Sequence, residues 1–185
     1  MEPPGITRHR RPFLAPLWLG LLAALAVAGV AWALYRSATI TVVFLVRPPE
    51  KDPGSIADPP VSPEGEERAQ RLARMFGASG GAGGVDAIYE SDDRGAHQTG
   101  VPLAEQLHRV PVVFKAADAG AAAARAVHAH AGGTLVVIAS AAALAQMVHE
   151  LSGTELPASA PDEPDFVYVV SVPTYGHAHL SRFRF

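Results

Sequence analysis

The chain has 185 residues, a formal net charge of −3 and no cysteine. That length holds one ordinary domain, and the near-neutral charge leaves no broad basic field for a nucleic acid partner. The absence of cysteine removes disulfides, thiolate catalysis and Cys-based zinc or iron–sulfur sites.

Residues 1–12 are basic, with Arg8, Arg10 and Arg11, and residues 13–35 then carry no charged side chain at all. A helix over 13–35 extends about 34 Å, enough to cross a hydrocarbon core of about 30 Å. Pro16 stands near its start, where a missing N–H costs little, and Trp18, Trp32 and Tyr35 stand near its ends, as interfacial aromatics do. Three arginines precede the span and only Arg36 closely follows it, so the charge bias keeps the N-terminus in the cytoplasm. The competing reading is a cleaved signal peptide with Ala31-Trp32-Ala33 as its processing site, but the apolar run exceeds the 7–15 or so residues of such a segment. The expectation is therefore a single-pass protein of a bacterial inner membrane, its bilayer partner met through residues 13–35 and its domain, 39–185, in the periplasm.

The domain begins after only Arg36, Ser37 and Ala38. Residues 39–46 (TITVVFLV) are apolar and β-branched, the pattern of a central strand covered on both faces. Ser62 and Pro63 are an N-cap and first helical residue, and the helix runs to Phe76 with Ala69, Leu72, Ala73 and Phe76 as its buried stripe. Arg68, Arg71 and Arg74 read as its solvated face. The glycines over 78–84 lack the spacing and flanking strand of a phosphate loop, so they read as a connector, and no cofactor is expected. Strands follow at 85–89, 110–114 and 134–138, alternating with helices at 96–107, 119–131 and 141–151. Residues 166–172 and 179–185, parted by 173–176, read as a closing antiparallel pair. Alternating strands and helices imply a layered α/β/α sheet with an antiparallel C-terminal edge, preceded by one transmembrane helix.

Several segments together carry a resemblance. The first strand ends in Leu45-Val46-Arg47-Pro48-Pro49-Glu50-Lys51, and the next helix starts Ser62-Pro63-Glu64-Gly65. Residues 85–100 read VDAIYESDDRGAHQTG, followed by Pro102-Leu103-Ala104-Glu105, and residues 134–140 read TLVVIAS. This order resembles the histidine phosphatase superfamily, the phosphoglycerate-mutase-like proteins, whose corresponding motifs are LVRHAEK, L-S/T-P-E-G, VDAIYSSPLRRTRQTA and a buried strand ending in G-H-S. The resemblance covers essentially everything after residue 38.

Chemistry of that kind needs a neutral imidazole to attack phosphorus and cationic groups around the phosphoryl oxygens. The resemblance implies two histidines and two arginines for these roles. Here Pro48 falls at the nucleophile, Ala139 at the second histidine, Gly95 at the second arginine with Arg94 beside it, and Val101 at a frequent general acid. Arg47 alone is kept, with Glu50 as its orienting partner and Ser140 ending the third motif. No histidine occurs between Arg36 and Ala96, and His130 and His149 are too far from Ile138 to replace Ala139 by a short slip. Asp92 and Asp93 replace uncharged residues, and their charge opposes an anionic ligand unless they pair with Arg47 or Arg94.

The remaining histidines carry less. His177 and His179 share a strand face but lack a third metal ligand, and His128 and His130 diverge around a helix, so no metal site is expected. His97 reads as a helix-surface histidine, and Ser91 and Ser140 have no base beside them. The functional expectation is a membrane-tethered pseudoenzyme, a binding or interaction module whose partner is a membrane or envelope protein. The alternative is a divergent phosphohydrolase using non-standard residues such as His97 with Asp92 or Asp93.

Overall fold

The computed structural model describes residues 15–37, 39–49, 60–77, 84–156 and 166–184. The chain divides into two compact units, Met1–Ala38 and Thr39–Phe185.

In the first unit, helix α1 is Ala15–Ser37, two residues downstream of the expected span. Its side chains are described over residues 18–34, and all of these are exposed, including Leu21, Leu25, Val27 and Trp32. Among the described residues no helix is long and apolar enough to cross a membrane.

The second unit contains β1 Ile40–Val46, α2 Pro63–Gly77, β2 Ala87–Ser91, α3 Arg94–Leu107, β3 Val112–Phe114, α4 Ala119–Ala129, β4 Thr134–Ile138, α5 Ala141–Ser152, β5 Phe166–Pro173 and β6 His179–Arg184. The six strands form one sheet in the order β3-β2-β4-β1-β5-β6. β1 runs parallel to β4, with Val42 opposite Thr134 and Val46 opposite Ile138, and antiparallel to β5, with Val43 opposite Val170. β2 runs parallel to both β4 and β3, while β5 and β6 form the antiparallel edge the sequence suggested.

Alternation along the strands sends side chains to two separate cores. Leu45, Leu135 and Val137 meet Ala122, Leu144 and Met147 from α4 and α5. On the opposite face Val46, Val136 and Ile138 meet Leu72, Phe76 and Leu103 from α2 and α3. This is the α/β/α layering, and each fully buried leucine contributes about 1.5–3 kcal/mol of transfer free energy. The Ser62 cap forms as read, its Oγ accepting from Gly65 N at 3.1 Å. Gly153 ends α5 at φ 67°, a left-handed conformation that glycine adopts without a Cβ penalty.

Boundaries differ from expectation mainly around β2. The strand, expected over 85–89, lies at Ala87–Ser91 because pairing with β3 carries it two residues further, to Ser91 opposite Phe114. Helix α3 then starts at Arg94, not 96, since Asp93 caps it by accepting from Ala96 N. Arg68 corrects the reading of the α2 surface: it is 9% exposed and lies on the helix's inner side with Ala69 and Leu72.

Candidate functional site at the carboxyl edge of the sheet

The carboxyl ends of the four parallel strands lie along one edge, the place where open α/β sheets hold ligands. Arg47 and Pro48 leave β1 there, and Ala139 and Ser140 leave β4 beside them, joined by a bond from Ala139 N to Val46 O of 3.1 Å. Pro48 is buried and Ala139 is fully buried. Neither side chain has a nucleophilic or hydrogen-bonding atom. Ser140 caps α5, its Oγ accepting from Ala143 N at 3.5 Å.

Arg47 Nη1 is buried without a hydrogen-bond partner. The space beside it is a cavity of about 10 Å³ shared with Val46, Arg68, Leu72 and Thr99, room for no more than a single water. Thr99 in turn donates its hydroxyl to Gly95 O at 2.7 Å. Gly95, buried in the first turn of α3, offers no side chain toward this space, and its neighbour Arg94 is exposed. Glu50, expected to orient Arg47, lies outside the described residues.

A second, larger opening lies at the end of β2. Glu90, Ser91, Asp92, Asp93, Arg94, His97 and Val113 line a cavity of about 370 Å³. Its carboxylates are fixed by local bonds. Asp92 Oδ1 accepts from Ala116 N at 3.0 Å, Asp93 Oδ1 accepts from Ala96 N at 2.9 Å, and Asp93 Oδ2 accepts from Ser91 Oγ. His97 is more than a surface histidine: its Nδ1 is 2.8 Å from Glu90 Oε1, with the His97 side chain 66% exposed and that of Glu90 2% exposed. The structure thus partners His97 with Glu90, not with Asp92 or Asp93 as the sequence reading paired it. Reading β2 as ending at Tyr89 left Glu90 in a loop, although its place in the motif where serine is usual was a visible signal.

The other histidines remain apart. His179 lies on β6 and His177 in the preceding turn, while His130 stacks edge-to-face on Tyr89 with centroids 6.0 Å apart. Among the described residues no three metal-ligating side chains converge.

No family profile matches the sequence, and no curated protein is detectably similar to it. Solved structures are similar in fold. The protein histidine phosphatase SixA, in complex with tungstate, superposes with a TM-score of 0.63 at 17% identity over 77% of this chain and 96% of its own. A mycobacterial glucosyl-3-phosphoglycerate phosphatase gives 0.61 at 15% identity over 78% and 99%. Phosphoglycerate mutase from Plasmodium falciparum gives 0.58 at 15% identity over 78% and 91%. The unit Thr39–Phe185 therefore has the fold of the histidine phosphatase superfamily.

Proposed function

We propose that this chain is a membrane-tethered pseudoenzyme, a histidine-phosphatase fold kept as a binding or interaction module without phosphohydrolase chemistry. The observation that carries the reading is the pair of strand ends at the site. Both positions where the fold's phosphatases need histidine hold buried residues without a reactive atom, Pro48 and Ala139. The roughly 10 Å³ left beside Arg47 supports it, because a phosphoryl group is several times larger than a water. Phosphoryl transfer depends almost wholly on positioned charge and an aligned nucleophile, so losing both histidines removes the reaction and not merely its rate.

The tether belongs to the same proposal. Support comes from the charge-free run over 13–35, from the arginine bias ahead of it, and from a helix, α1, that is apolar on every described side. The proposed span reaches beyond the described side chains at both ends. The domain would then act on the periplasmic side of a bacterial inner membrane, on a membrane or envelope protein partner.

The test is turnover by the full chain in detergent against a panel of phosphomonoesters, with and without divalent metal ions. The proposal expects no activity above that of the Arg47→Ala variant. Turnover that Arg47→Ala abolishes would sink it and favour a divergent phosphohydrolase. Release of the protein from membranes by alkaline carbonate would remove the tether.

A further inference from the structure

Three departures from the phosphatase-like motif fall together in the fold. Where that motif reads VDAIYSSPLRRTRQTA, this chain has glutamate at 90, histidine at 97 and glycine at 100. A Cβ on Gly100 would collide with Glu90 Oε2 and would stand 3.6 Å from Ile138 Cδ1. Glycine at 100 is thus the vacancy that receives the Glu90 carboxylate. With its Oε2 buried and unpartnered, Glu90 directs Oε1 to His97 Nδ1 at 2.8 Å.

A buried carboxylate with one unsatisfied oxygen is costly to the fold, and a helix-surface histidine needs no such support. The cost is understandable if the imidazole must be held. A carboxylate only accepts, so Nδ1 of neutral His97 carries the proton and Nε2 keeps its lone pair. The exposed ring then presents a basic nitrogen of fixed tautomer at a cavity of about 370 Å³, large enough for a small organic molecule. Ser91 is no nucleophile here, being 1% exposed with its hydroxyl donated to Asp93.

We propose that His97 is a general base, positioned by Glu90, for hydrolysis of small uncharged carboxylic esters in this cavity, apart from the pocket beside Arg47, so that the chain is a pseudoenzyme only with respect to phosphoryl transfer. His97 Nε2 takes a proton from water as the water oxygen bonds to the acyl carbon. The tetrahedral intermediate collapses with cleavage of the bond to the alkoxy oxygen, and the same proton passes from Nε2 to that leaving oxygen, giving acid and alcohol. The Nδ1 proton stays with His97, where Glu90 stabilises the transient imidazolium. The substrate class follows from the lining: three carboxylates, Glu90, Asp92 and Asp93, against one guanidinium, Arg94, disfavour a phosphate dianion, while Val113, 60% exposed, offers an apolar wall.

The test uses the full chain in detergent with p-nitrophenyl acetate and p-nitrophenyl phosphate. The acetate is expected to be hydrolysed with kcat/KM at least about tenfold above that of His97→Ala. Glu90→Gln should lower kcat and leave KM little changed, and His128→Ala, an exposed histidine on α4, should change nothing. Equal rates for the unaltered chain and His97→Ala, or no acetate hydrolysis at all, would overturn the proposal. His97→Ala leaves Glu90 Oε1 without its partner, so circular dichroism accompanies each assay, and His97→Gln, whose amide can still donate to Glu90 but offers no basic nitrogen, decides the matter if His97→Ala or Glu90→Gln unfolds. Phosphate turnover that needs His97 would refute the ester assignment.

Discussion

Replacing Gly100 by alanine adds one methyl group at the middle of α3, where alanine ordinarily gains about 1 kcal/mol over glycine. Here the methyl meets Glu90 Oε2, on a carboxylate that is 2% exposed and held by His97. Overpacking of this kind costs about 1–3 kcal/mol, and displacing the carboxylate from His97 forfeits a charge-assisted bond of about 1.5–3 kcal/mol. Set against the helical gain, Gly100→Ala should destabilise the domain by about 1.5–5 kcal/mol. In a Glu90→Ala background the clash is gone, and the same substitution should stabilise by up to about 1 kcal/mol. Urea unfolding of the full chain in detergent, followed by circular dichroism, measures all four corners of the cycle. Tryptophan fluorescence would not serve, since Trp18 and Trp32 both lie in α1. A Gly100→Ala protein as stable as the unaltered chain, or the same effect in both backgrounds, would refute the assigned fit of Glu90 against Gly100.

Other consequences are separable. Asp93→Ala removes the α3 cap and the Ser91 bond together and should cost about 1–2 kcal/mol, read as a lowered urea midpoint. Phe76→Ala should cost about 3–5 kcal/mol, because Phe76 is 6% exposed and packs edge-on to Phe44 at 5.0 Å. Burial pushes the Tyr89 phenol above its ordinary value of 10.0. Its neutral form is favoured in the folded state, so the stability it contributes is complete below that ordinary value and is lost as pH rises through the raised one. In a near-ultraviolet absorbance titration the phenol lost in Tyr89→Phe should ionise above the ordinary value.

The layered fold was legible because its signals are local and repeated: β-branched runs at 39–46 and 134–138, and a capped amphipathic helix opening at Ser62. The strand-end residues Arg47, Pro48, Ala139 and Ser140 were legible through motif order, and the sheet places them side by side. What escaped were facts of pairing. β2 extends to Ser91 only because β3 lies beside it, and that extension turns Glu90 into a buried strand residue facing α3. Arg68 has the sequence context of Arg71 and Arg74, yet the packing of α2 turns it inward. The Glu90–His97 bond joins a strand to a helix across a turn, a geometry that no helical or strand period announces.

The central claim, a phosphatase fold without phosphohydrolase chemistry, is met most directly by vanadate, which mimics the transition state of phosphoryl transfer and binds such enzymes far more tightly than substrate. Calorimetric titration of the full chain should show no saturable vanadate binding below the millimolar range, and no difference between the unaltered protein and Arg47→Ala. Micromolar binding that Arg47→Ala abolishes would contradict the account.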